Sequence, residues 1–342
     1  MNAWNGVLII AESRAQTSKA GRSANAELLA YTTEVHPVTY ELLGKGRGLA
    51  DTLHCGLDCL LLCAESDDAE EMNLCGADTV YIMKSKAFAD PEECLYKSNI
   101  VRFINEYRPS IVLIGATSFG RSLAPRVAAA LSTGLTADCT GLSIGESGEL
   151  IQIRPAFSDN ILAHITSRVY PQMATVRHGE FAAPARDAGR KANVVEIPVF
   201  VNEYDGTKII ERMKRNAHDI TEAEVIVACG RGIKAEEDIA LIQKLADCLG
   251  GQVGFSRSLV DAGIADNAYQ IGYSGLRVKP KLYIACGISG APQHLAGMKE
   301  SGTIIAINHD ASAPIFSVCD IGYVGDLYQV VPQLIKELEA VS

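Results

Sequence analysis

Several absences narrow what this sequence can be before any motif is considered. No apolar run reaches the length of a bilayer crossing, because glycine or charge interrupts the longest candidates. Positive charge is not in excess. Thirty-one Lys+Arg stand against 41 Asp+Glu, a formal net charge of −10, which argues against a nucleic-acid partner held by phosphate neutralisation. The ten cysteines contain no C-x-x-C pair of the zinc-site kind. Cys55, Cys59 and Cys63 are the nearest approach to one, but Cys55 is expected across a turn from a strand carrying the other two. No basic leader with a small-residue cleavage site precedes the first strand-like run. No internal repeat at a fixed period is evident.

What is present is an ordinary soluble balance, 48% hydrophobic and 21% charged, in 342 residues, more than one core usually serves. Scattered cysteines inside apolar strand patterns (Cys229, Cys286, Cys319) behave as small hydrophobes in a reducing compartment, so a cytoplasmic location is expected. Short apolar runs alternate with amphipathic stretches, the signature of α/β architecture with largely parallel strands. Strands are expected at Gly6–Glu12, Asp58–Ala64, Thr79–Lys84 and Ser110–Gly115, with helices at Tyr40–Leu53 and Tyr96–Glu106 between them. After Ala137 the alternation changes, and "TGLSIGESGELIQIRPAF" reads as strands joined by a Glu-Ser-Gly turn.

From Tyr204 to Glu222 the chain becomes polar and charged and reads as a link between domains, 1–215 and 216–342, with a hinge near Arg215–Thr221. A second α/β unit follows. It has a helix at Glu236–Leu249, a strand at Gln252–Ser256 and a closing helix at Leu327–Ala340.

The stretch "YIACGISGAPQHLAGM" (Tyr283–Met298) passes from a buried strand through a tight glycine turn into a helix start. Free N–H groups converge at such a point and favour an anion. The spacing is neither G-x-G-x-x-G nor a P-loop. Other segments carry comparable residues. "GRG" puts Arg231 in a glycine turn, Ser256-Arg257 ends a strand, and "QIGYSG" sets Ser274 between glycines. Asn308 and Asp326 close two later strands. Each alone fits a turn, a cap or a packed side chain. Together, at the carboxyl ends of parallel strands where open sheets bind ligands, they point to one site.

The run from Val227 through "GRGIKAEEDIALIQKLADCLGGQVGFSRSLVDAGIADNAYQIGYSGLRVKPKLYIACGISGAPQHLAGMKESGTIIAINHD" to "VGDL" resembles the FAD domain of the electron transfer flavoprotein alpha subunit. "LAPRVAAALSTGLTADCTGL" (Leu123–Leu142) and "PQMATVR" (Pro171–Arg177) in the first domain look like the same family. The resemblance implies a Rossmann-like N-terminal domain that is scaffold and interface to a beta subunit, and a C-terminal parallel α/β domain that binds FAD.

It further implies Ser289, Gly290, Ala291, Pro292, Gln293 and His294 as flavin contacts, with His294 near the pyrimidine edge. Arg257 matches an arginine over the ring, with Ser256 beside it. Ser274 stands near N5 in place of the usual threonine, flanked by Ile271, Gly272 and Tyr273, the last replacing a glutamine. Arg231, Asn308 and Asp326, with Leu327 following, match the pyrophosphate and adenosine contacts. Pro292 replaces an aliphatic residue, His309 a frequent lysine, and Ala156–Asn160 departs from a Gly-Gly version.

The expected function is electron carriage to an acyl-CoA dehydrogenase or similar flavoprotein, with a tilt towards flavin-based bifurcation. The alternatives are an NAD-dependent dehydrogenase subunit using the same cleft, with His294 as proton donor, and a non-redox nucleotide-binding module. Gly115–Val127 could be a relic of a phosphate loop in the first domain.

Overall fold

The computed structural model describes residues 4–15, 33–66, 68–89, 92–156, 161–201 and 220–341. The chain divides into two compact units, one up to Ile210 and one from Glu211. The expected boundary at 215/216, most of the polar link, the hinge up to residue 219, and positions 157–160 lie outside the described residues. Ile220, within the expected link, is fully buried in the core of the second unit.

In the first unit the strands are β1 (Val7–Ala11), β2 (Ser13–Ala15), β3 (Thr33–Val35), β4 (Leu57–Cys63), β5 (Thr79–Lys84) and β6 (Ile111–Gly115). Then come β7 (Leu135–Cys139), β8 (Gly141–Ile144), β9 (Leu150–Ala156), β10 (Ile161–Ile165), β11 (Gln172–Val176) and β12 (Val194–Glu196). Seven of them form a parallel sheet in the order β12-β5-β4-β1-β6-β11-β7, and β10-β9-β8 form a small antiparallel sheet. The strands expected from sequence are all present within a residue or so of their ends. Cys59 and Cys63 share the strand face that packs into an apolar cluster with Met72 and Leu61.

Helices α1 (Pro37–Leu53), α2 (Ala69–Leu74), α3 (Glu93–Tyr107) and α4 (Ser118–Ala130) cover this sheet. Helix α1 starts where Pro37 presets φ and His36 Nδ1 accepts from Val38 N–H at 3.1 Å, three residues ahead of the expected start. It ends on His54, in the left-handed region at φ 52°.

The second unit has β13 (Val225–Cys229), β14 (Gln252–Ser256), β15 (Gln270–Ile271), β16 (Leu282–Cys286), β17 (Thr303–Asn308) and β18 (Ile321–Val324). All pair in parallel, in the order β15-β14-β13-β16-β17-β18. Helices α5 (Ile239–Cys248), α6 (Arg257–Asp261), α7 (Pro292–Leu295) and α8 (Leu327–Val341) accompany it. Strands buried on both faces read as continuous apolar runs, and "VIVAC" and "LYIAC" do so. Their side chains alternate between two cores. Val227, Cys229, Ile284 and Cys286 enter one, while Ile226, Ala228, Tyr283 and Ala285 enter the other.

Candidate functional site

Counted along the chain, the second sheet runs 3-2-1-4-5-6, so the order reverses between β13 and β16. At that switch point two connections leave in opposite directions and open a crevice beyond the carboxyl ends of the strands. The turns Gly230–Gly232 and Gly287–Gly290 form its floor. Gly230 N–H donates to the Cys286 carbonyl at 3.0 Å, and Gly232 N–H to the Gly287 carbonyl at 3.1 Å. A Cβ on Gly232 would lie 2.8 Å from Gly287 Cα, so the two backbones meet at a distance only glycine permits. Gly290, at φ +84°, turns beneath Ile315, whose N–H donates to the Ser289 carbonyl at 3.0 Å.

The crevice has a volume of about 590 Å³, within the range of small-molecule clefts. Arg231, Ser256, Arg257, Ile271, Gly272, Tyr273, Ser274, Ser289, Gly290, Ala291, Gln293, His294 and Asn308 all line it. Pro292, Asp326 and Leu327 stand outside the lining. Leu327 is buried in the core, close to both Gly232 and Gly287. The Asp326 carboxylate accepts from Tyr328 N–H at 3.0 Å, capping α8. Gln270, Ser258, His309, Asp310 and Ala313 also border the cleft. None of the five was among the expected contacts. Ser258 was the accessible one in principle, two residues beyond Ser256 at the same strand end.

Local bonds hold the lining in place. Ser256 Oγ, buried, lies 2.8 Å from Ser258 Oγ. Arg257 is two-thirds exposed, and its Nε is 3.3 Å from Asp261 Oδ2 one turn along α6. The loop after β15 is stitched to α7, with Tyr273 N–H donating to the Gln293 carbonyl at 2.7 Å. Gln270 Nε2 donates to Ser274 Oγ at 3.2 Å. Tyr273 is exposed, with the Arg277 guanidinium 5.6 Å from its ring centroid. Asn308 braces two turns, its Nδ2 donating to the Ile288 carbonyl at 2.9 Å and its Oδ1 accepting from Asp310 N–H at 3.0 Å.

Helix α7 lasts only one turn, shorter than the sequence suggested, because the chain runs on against Gly272. A Cβ on Gly297 would be 2.5 Å from Gly272 Cα. An anion there would meet a few free N–H groups rather than a helix macrodipole. His294, on this turn, is 7% exposed and its Nε2 lies 2.9 Å from Tyr283 Oη. Its Nδ1 is buried without a hydrogen-bond partner. Burial lowers its pKa to about 4, partly offset by the Ile271 carbonyl, so the ring is neutral at physiological pH.

The first unit also has a reversal, between β1 and β6, and several side chains pack near the carboxyl ends of these strands. The Glu12 carboxylate accepts from Thr117 Oγ1 at 2.5 Å, and Thr117 caps α4 by accepting from Gly120 N–H at 2.9 Å. Val38 lies so close to Gly115 that a Cβ there would be 2.6 Å from its Cγ1.

A glycine-floored crevice at the switch point of a sheet in this order places the second unit among the dinucleotide-binding α/β domains. The particular family follows from comparison. The model of the electron transfer flavoprotein domain matches residues 30–201, and that of the electron transfer flavoprotein FAD-binding domain matches 219–299. An electron transfer flavoprotein subunit alpha from Thermoanaerobacterium thermosaccharolyticum is 43% identical, covering 99% of both chains. A FixB protein of Clostridium saccharobutylicum is 45% identical over 90% of this chain and 93% of its own. The subunit LctC of a lactate dehydrogenase (NAD(+),ferredoxin) from Acetobacterium woodii is 43% identical over 90% of this chain and 74% of its own. The chain belongs to the electron transfer flavoprotein alpha-subunit family, and its cofactor is FAD.

The residues present fit that cofactor. The buried, unpartnered Nδ1 of His294 calls for a polar ligand atom. The bare glycine floor admits a pyrophosphate against backbone, and Arg231 and Arg257 in the lining supply positive charge to the cleft.

Proposed function

We propose that this chain is the FAD-bearing subunit of a heterodimer with an electron transfer flavoprotein beta subunit, located in the cytoplasm, and that it hands electrons to a dehydrogenase-type flavoprotein. FAD supplies one- and two-electron redox chemistry at its ring. The chain's own residues hold, orient and electrostatically bias that ring. No helix among the described residues is long and apolar enough to cross a membrane. The observation that carries the reading is the clustering of Arg257, Ser274 and His294 around one crevice at the switch point.

Within that reading, Ser289, Gly290, Ala291, Gln293 and His294 contact the ring, Arg257 lies over it with Ser256 beside it, and Ser274 and Tyr273 border its reactive edge. Arg231 and Asn308 serve the pyrophosphate and adenosine end, where Asp326 and Leu327 support the turns from behind. The name of the Acetobacterium relative couples NAD(+) with ferredoxin, and its 43% identity supports the finer proposal of two acceptors served by one complex.

The test is electrostatic. A cation near the ring favours electron uptake, and at near-aqueous screening a charge at about 4 Å contributes about 1 kcal/mol, or roughly 40 mV in a one-electron couple. Arg257→Ala is expected to lower the midpoint potential by that order, while Asp261→Asn, which removes the carboxylate paired with Arg257, raises it. Redox titration followed in the visible spectrum measures both. Unchanged potentials in both variants would remove Arg257 from the site.

A further inference from the structure

Tyr283 lies in the middle of the sheet, yet its polar atom is tied to the cleft. It is fully buried on β16, and its hydroxyl has one hydrogen-bond partner among the described residues, His294 Nε2 at 2.9 Å. Burial raises its own pKa well above the ordinary tyrosine value, so it stays a phenol. The neutral imidazole of His294 holds a single ring proton, and two arrangements are open to it.

If Nε2 carries the proton, it donates to Tyr283 Oη. The phenol proton then has no acceptor among the described residues, and Nδ1 is left as a bare lone pair. If Nδ1 carries the proton, the phenol donates to Nε2 and only the Nδ1–H remains unmatched. The first arrangement leaves two buried polar groups unsatisfied and the second leaves one, and each such group carries a substantial penalty.

We propose that Tyr283 is a positioning residue whose hydroxyl, by donating to Nε2, fixes His294 as the Nδ1–H tautomer, so that the ring lining the FAD cleft offers an uncharged donor. A donor strengthens its bond as negative charge gathers on an acceptor, whereas a lone pair in its place repels that charge. Tyr283 thus acts on the cofactor only through His294. The proposal rests on the reading of His294 as a FAD contact.

The experiment uses the intact heterodimer with FAD bound and ¹⁵N-labelled histidine, with His294→Asn to assign the signals. Long-range ¹H–¹⁵N spectra across neutral pH should show a protonated-type Nδ1 and a pyridine-type Nε2. Tyr283→Phe, which keeps the packed ring, should mix the two tautomers and release FAD about fivefold faster, the loss of one ordinary hydrogen bond. A wild-type spectrum with the proton on Nε2 overturns the proposal, and so does an unaltered tautomer in Tyr283→Phe. The wild-type spectrum alone decides if that variant does not fold. Signals of His294 that fail to move when FAD is removed overturn the placement of His294 against the cofactor. The tautomer result separates that failure from the first.

Discussion

Two ionisable side chains, one in each unit, respond to acid in opposite directions. His294 has a folded pKa of about 4, below the ordinary 6.5, because burial disfavours its charged form. The unfolded chain therefore takes up the proton first, and stability contributed by the neutral ring is present above pH 6.5 and lost as pH falls towards 4. Asp58, on β4, is pushed up by burial from 3.8 to about 6, against a hydrogen bond from Thr79 that pulls it down. Here the native state holds the proton more tightly. Its stabilising effect is complete below 3.8 and is lost as pH rises through about 6. Hydrogen-exchange protection of core amides should thus rise with pH in the second unit and fall in the first across this window. His294→Asn should flatten the first trend and Asp58→Asn the second. Parallel trends in both units would contradict the assignment.

Glycines give the sharpest contrast between neighbouring secondary structures. A methyl group on Gly232 would sit 2.8 Å from Gly287 Cα and 2.8 Å from Leu327 Cδ2, so Gly232→Ala must force the two crevice turns apart. FAD content should fall strongly while the first unit is untouched. Gly48, exposed within α1, has nothing within 4 Å of the point a Cβ would occupy, and Gly48→Ala should stabilise by about 1 kcal/mol. Flavin absorbance and thermal melts distinguish the pair, and equal effects would refute the difference in their surroundings. The same elements show what could be read from sequence. Ser256-Arg257 and the Gly-Ile-Ser-Gly turn were visible because strand, glycine and polar residue follow one another locally. Gln270 was hidden because β15 spans two residues, too few for any periodicity. Tyr283 was hidden because a tyrosine in a buried strand looks like packing, and its partner eleven residues on depends on how the intervening glycine turn folds back. Sheet order was equally out of reach: nothing local in "PQMATVR" tells that β11 slots between β6 and β7. The edge strand β12 keeps only three residues of the run "ANVVEIPVFV".

The two units share a central reversal of strand order, and the second opens a crevice at it. In the second, glycine backbones line the gap. In the first, the Glu12 carboxylate bonded to Thr117, with Val38 above Gly115, takes up the corresponding point. A carboxylate there repels phosphate at close range, so the purified chain with its beta subunit should carry one FAD on this chain. Flavin release and quantitation per chain, with the beta subunit's own content subtracted, checks it. Two equivalents on this chain would show that the first unit holds a second flavin. A single cofactor site also sets an electron count. One ring stores at most two electrons, so this chain with a single FAD holds no more than one pair at a time. A ring that holds a pair can release its electrons one at a time, so the number of rings in a complex caps how many electrons it stores, not how many partners it serves.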